Sequence, residues 1–128
     1  AYGSFGRRMI ICQDQEAENV KAFIDRSLQA LTGVGGKDGE PLINLIAIYR
    51  GDRYIVFLVP RAKHRPECYF AKGDARISIS PASIEMTGIL VAADRDSFER
   101  TDEPKAFEVY EEVCVGEGQL EDLLGAVT

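Results

Sequence analysis

Residues 61–65 carry four cationic or titratable side chains, Arg61, Lys63, His64 and Arg65, between Pro60 and Pro66. An arginine fork matches the oxygens of a phosphate or carboxylate, and a lysine adds a compact point charge. The two prolines restrict the backbone, which lowers the entropy lost when a ligand orders the loop. The pattern is that of an anion-binding loop, for instance for a nucleotide phosphate. A solvated basic turn, or one paired with acidic residues elsewhere, has the same composition, and the residues alone leave both readings open. Two other positions stand out. Asn44 interrupts the apolar run Leu42-Ile43-Asn44-Leu45-Ile46, so its amide is expected to be buried and hydrogen-bonded, to backbone or near a ligand. Left unpaired, such a group costs about 1–3 kcal/mol. Gly88 falls between Met86 and Leu90 in a second apolar run, pointing to a bulge or to close approach of another backbone or ring.

Several chemistries are excluded by what is missing. His64 is the single histidine, so the chain cannot itself form a histidine triad, a two-histidine zinc site or a three-histidine metal cluster. Gly33-Val34-Gly35-Gly36-Lys37 follows no strand, and its lysine precedes no serine or threonine. It reads as a flexible connector and not as a P-loop. No serine occupies a Gly-x-Ser-x-Gly elbow, and Ser78, Ser80 or Ser83 would meet His64 only by accident of folding. Cys12, Cys68 and Cys114 are odd in number and form no Cys-x-x-Cys pair, as expected of free thiols in a reducing compartment. No complete catalytic site, no metal and no cofactor are expected.

The elements that must position the basic loop follow from periodicity. Residues 9–12 read as a short strand. Asp14 reads as the cap of a helix whose apolar positions are Ala17, Val20, Phe23, Ile24, Leu28 and Leu31, ending at Thr32-Gly33. Residues 42–49 and 54–59 give the strongest strand signals, joined by a tight hairpin at Gly51-Asp52. Both are apolar on both faces and are expected to be central, covered strands. Residues 76–80 and 85–93 read as two more strands, the first stopped by Pro81. A helix follows, with Pro104 in its first turn and Phe107, Tyr110, Val113 and Cys114 on one face. Gly116 and Gly118 separate it from a last short helix marked by Leu120, Leu123 and Leu124. The order predicts an α+β fold, a mostly antiparallel sheet with packed helices.

With 128 residues, 45% hydrophobic and 28% charged, the chain is sized for one domain with its own core. Its net charge of −6 argues against general nucleic-acid binding. Residues 50–76 nevertheless hold seven Lys/Arg against three Asp/Glu, a local excess suited to receiving an anion. No apolar run approaches the roughly 20 residues that span a bilayer, and no signal-peptide pattern opens the chain. A soluble, cytoplasmic protein is expected.

The three singled-out features coincide with a family pattern. Ile43-Asn44-Leu45-Ile46, Phe57-Leu58-Val59-Pro60-Arg61 and Thr87-Gly88-Ile89-Leu90-Val91 resemble the C-terminal part of ATP adenylyltransferases (diadenosine tetraphosphate phosphorylases). Those enzymes belong with galactose-1-phosphate uridylyltransferase in the histidine-triad-like superfamily. The chain is most similar to an uncharacterised bacterial family related to them, through Glu40-Pro41-Leu42-Ile43-Asn44-Leu45, Pro60-Arg61-Ala62-Lys63-His64-Arg65-Pro66, Ser80-Pro81-Ala82-Ser83-Ile84 and Gly88-Ile89-Leu90. The similarity spans roughly residues 5–112, and its His-Arg-Pro and Ser-Pro-Ala segments are the specific part. The resemblance implies a parent of two similar halves. In such enzymes the nucleophilic histidine sits in a His-x-His motif of the N-terminal half and forms a nucleotidyl-histidine. That motif is absent, and His64 in its Arg-Pro context does not match it. The chain thus resembles a C-terminal, non-nucleophilic half of a nucleotidyltransferase or nucleotide-sugar phosphorylase. It would complete the fold and position a phosphorylated small molecule or nucleotide through Arg61, Lys63, His64, Arg65 and Asn44. Its implied partner is the N-terminal half of the same parent, with homodimerisation where that half is missing. A non-enzymatic interaction domain is the alternative reading.

Overall fold

A computed structural model describes residues 7–32 and 39–128. The glycine connector at 33–38 lies outside the described residues. The protein is an α+β fold built on a three-stranded antiparallel sheet of order β1-β3-β2. The strands are β1 (Ile10–Asp14), β2 (Ile43–Arg50) and β3 (Arg53–Pro60). The hairpin forms where the sequence places it. Gly51 and Asp52 both take positive φ (59° and 63°), the two-residue turn whose twist matches the strands it joins. Register runs from Arg50 opposite Arg53 to Ile43 opposite Pro60, and β1 pairs along the other side of β3.

Alternation along the strands divides the core in two. One sheet face carries Ile10, Val56 and Leu58. It packs against Val20, Phe23 and Leu31 from α1 (Ala17–Ala30) and its C-terminal end, and against Leu123 and Val127 from α5 (Glu117–Val127). Spacing of three, four and seven residues puts the α1 side chains on one stripe. Ser27 lies buried in that stripe because its hydroxyl donates to the Phe23 carbonyl one turn back (2.8 Å). The opposite face carries Val59, which meets Met86 together with Tyr110, Val113 and Cys114 from α4 (Glu103–Val113) and its C-terminal cap. A third cluster joins Ile77 and Ile79 to Val109 of α4. Leu124, next to Leu123 on α5, is exposed.

Four expectations are corrected. β3 is central and covered, but β2 is an edge strand whose residues 47–50 are exposed, because β1 takes the place on the far side of β3. Residues 76–80 and 85–93 are not strands; they meet in a single bridge between Ile79 and Ala92. Pro81 ends the first run. The second folds into a 3₁₀ turn, Glu85–Thr87, which Gly88 closes at a φ of 110°. This turn is pinned from outside: the Tyr110 hydroxyl donates to the Glu85 carbonyl (2.7 Å), and Arg7 Nη1 donates to the Met86 carbonyl (2.6 Å). What approaches Gly88 is the Arg7 guanidinium, which a Cβ would meet at 3.4 Å, rather than a ring or a backbone. Asp14 ends β1 and accepts from the Glu16 backbone (2.8 Å), while Glu16 itself is the N-cap of α1.

Two short helices were not anticipated. Pro66 leads into α2 (Glu67–Phe70), and Asp94 caps α3 (Arg95–Glu99) by accepting from the Ser97 N–H (2.8 Å). Among the described residues, no helix is long and apolar enough to cross a membrane.

The edge and centre of the sheet should differ in energetic weight. Leu58→Ala, in the covered centre, is expected to cost about 2–5 kcal/mol in urea unfolding. Ile46→Ala, on the half-exposed edge, should cost distinctly less. Equal losses would contradict the order β1-β3-β2.

Candidate functional site

The basic loop leaves β3 through Pro60 and is tied down at once. The Arg61 N–H donates to the Leu42 carbonyl (2.8 Å), and the Val115 N–H donates to the Pro60 carbonyl (3.3 Å). Ala62 and Lys63 both donate their N–H groups to the Val113 carbonyl, the last of α4 (2.9 and 3.3 Å). A helix end needs acceptance of its orphan carbonyls, and here the loop supplies the donors.

Arg61 does not face solvent. Only 3% of it is exposed, and its guanidinium forms four hydrogen bonds inside the protein. Nε donates to Val113 O (3.2 Å), Nη1 donates to Asn44 Oδ1 and to Pro81 O (3.0 Å), and Nη2 donates to His64 O (3.0 Å). Burial lowers its pKa from the ordinary arginine value, and the negative charge of Glu85 opposes that shift. The guanidinium stays charged, since arginine is not deprotonated in proteins. It also rests at the negative end of the α4 dipole. Asn44 is half-buried, and its expected partners are corrected. Its amide oxygen receives Arg61, and its Nδ2 donates to Ser83 Oγ (3.3 Å).

The remaining basic residues of the loop separate by role. Lys63 bridges Glu67 and Glu112 (3.2 Å each), and these bonds, Glu112 first, raise its pKa. His64 is exposed, and only its carbonyl is engaged in the cluster. Arg65 is half-buried: Nε donates to Ser80 Oγ (3.0 Å), and its guanidinium carbon lies 4.4 Å from the Tyr69 ring centroid. No salt bridge among the described residues uses Arg65, so its terminal amino groups remain available to a ligand. Of the predicted site, the fold brings together Arg61 and Asn44 as structure and leaves Arg65 as the presented fork.

Sequence reasoning missed Tyr69 and Arg76. The Arg76 guanidinium carbon lies 5.7 Å from the same Tyr69 centroid. Arg76 was passed over as part of a presumed strand. The Tyr69–Arg76 proximity depends on the 3₁₀ turn Gly73–Ala75, with Gly73 at a φ of 61°, and on an N–H···O bond from Ile77 to Cys68 (2.9 Å).

Burial raises the thiol pKa of Cys12, Cys68 and Cys114, which disfavours the nucleophilic thiolate. Ser80 Oγ accepts from Arg65 and Ser83 Oγ from Asn44, and among the described residues neither is hydrogen-bonded to His64. Among the described residues, no group of three His, Cys, Asp or Glu could hold a metal ion. Clefts lined by Ile79, Leu90 and Phe98, and by Arg7, Ile46 and Phe57, lie away from the loop. No family model, curated protein or solved structure matches the chain.

Arg61→Ala would strand the Pro81 and His64 carbonyls and the Asn44 amide oxygen. It should cost about 3 kcal/mol or more by urea unfolding. Lys63→Ala should leave the unfolding midpoint nearly unchanged, because its ion pairs are exposed. The reverse ranking would mean that Arg61 is not a structural clamp.

Proposed function

We propose that this chain is the non-nucleophilic C-terminal half of a nucleotidyltransferase or nucleotide(-sugar) phosphorylase, completing the fold and positioning a phosphorylated substrate on the loop after β3. The observation that carries the reading is the Arg61 cluster. It joins in one hydrogen-bonded unit three of the four segments that bear the family resemblance: Asn44 from the first, Arg61 and His64 from the second, Pro81 and Ser83 from the third. A loop braced in this way presents Arg65 with little ordering left to lose on binding. The local positive excess of residues 50–76, in a chain of net charge −6, supports an anionic ligand. The absence of a His-x-His motif supports a positioning role in place of a nucleophilic one.

A second reading, a protein-interaction domain, draws on the uncovered part of the sheet. Ile11 and Ile48 are 51% and 44% exposed on the face that also bears Ile46, Ile55 and Phe57. Contiguous apolar surface of this kind favours association. Nucleotide binding, and not self-association, separates the two: a homodimer dispersed by Ile48→Glu that binds no nucleotide favours the interaction domain, whereas nucleotide binding at the loop favours the first reading.

Titrating the isotopically labelled chain with ADP should shift the amides of residues 62–65 and of Ser80 at millimolar concentration. A dissociation constant of 1 mM corresponds to about 4.1 kcal/mol, within reach of two or three charge-assisted contacts. The shifts should fade with added salt, and the chain alone should release no nucleotide product. Shifts confined to another part of the molecule would contradict the assignment.

A further inference from the structure

We propose that Arg65 and Arg76, gathered on the ring of Tyr69, form a two-guanidinium subsite for the terminal phosphate of a small phosphorylated molecule. This deepens the proposed function and rests on it for the identity of the rest of the ligand.

The argument starts from charge. Many cations of this chain meet a carboxylate: Arg8 pairs with Glu111, Arg95 with Glu99, Arg100 with Asp96, Lys63 with Glu67 and Glu112, and Lys105 with Glu108. Arg65 and Arg76 form no salt bridge among the described residues, although the chain has an excess of acid. They converge instead on one aromatic ring, at 4.4 and 5.7 Å. Two guanidiniums beside one ring raise the local positive potential, and an anion received there offsets it.

The Arg65 guanidinium and the Arg76 backbone are each held by hydrogen bonds. Ser80 Oγ accepts from Arg65 Nε, which fixes the orientation of that guanidinium. The backbone of Arg76 is clamped by Arg100, which donates to the Asp74 and Arg76 carbonyls while paired with Asp96. The loop under Arg65 is fixed by the Arg61 cluster, through the His64 and Pro81 carbonyls. The subsite therefore offers two planar, positively charged forks, one of them oriented by Ser80. A terminal phosphate, with three acceptor oxygens and close to two charges near neutral pH, matches two forks better than a single carboxylate does.

The test follows the Nε–Hε signals of Arg65 and Arg76 in the labelled chain during titration with inorganic phosphate, AMP, adenosine and acetate. Phosphate and AMP should shift both signals, and adenosine and acetate should not. Arg76→Gln, at an exposed position, should weaken phosphate binding about five- to tenfold. Arg65→Gln should do the same, with Tyr69→Leu as a second route that releases both forks without removing a charge. Arg53→Gln, which removes the same charge at the hairpin turn, should leave binding unchanged. Equal weakening by Arg53→Gln, or unchanged binding in Arg76→Gln and Tyr69→Leu, overturns the subsite. If phosphate binds here as described but AMP binds no more tightly, the subsite stands and the nucleotide reading fails. If AMP binds at residues 62–66 without dependence on Arg76, the nucleotide reading stands and the subsite fails.

Discussion

A guanidinium taken out of water must find acceptors, and the way Arg61 finds them governs the middle of this protein. Its four hydrogen bonds reach an edge-strand amide, the carbonyl that ends α4, the carbonyl of Pro81 and the carbonyl of His64 in its own loop. No single element could satisfy this side chain. The charge is kept because backbone dipoles and Asn44 replace its hydration, and because the α4 terminus and Glu85 add favourable potential. The Val113 carbonyl takes donors from Arg61, Ala62 and Lys63, so the same point anchors both the side chain and the backbone of the loop.

This constraint divides the labour among residues that look alike in sequence. Arg61 holds the loop, Lys63 ties it to α2 and α4 through carboxylates, and Arg65 is left facing outward on Tyr69. A basic cluster counted by charge alone would treat these residues as equivalent. Burial and hydrogen bonding make them distinct: the first is inaccessible to a ligand, the second is neutralised, and the third keeps its fork.

How much could be read from the sequence depended on how local the determining interaction was. The hairpin at Gly51-Asp52, the stripe of α1 and the Pro104 start of α4 are set by neighbours within a few residues, and periodicity found them. The run at 85–93 failed for the opposite reason. Its shape is set by Tyr110 and Arg7, each far away in the chain, and its Ile89 and Val91 are exposed in spite of their strand-like composition. Asp94 before Arg95-Asp96-Ser97 was a capping signal that could have revealed α3. The inward course of Arg61 had a signal too. Alternation places it on the face of Val59, the face that also bears Asn44, so two polar groups were due to meet beside a buried apolar face. Tyr69 and Arg76 could not be joined from sequence, because their meeting depends on a turn at Gly73 and a backbone bond from Ile77 to Cys68.

The most direct measurement of the Arg61 clamp is the solvent exchange of the arginine Nε–Hε protons in the unmodified protein. The account predicts that the Arg61 proton exchanges far more slowly than those of Arg50, Arg53 and Arg76, and that it keeps its resonance position when phosphate is added. Rapid exchange of Arg61, or a phosphate-dependent shift larger than that of Arg65, would contradict it.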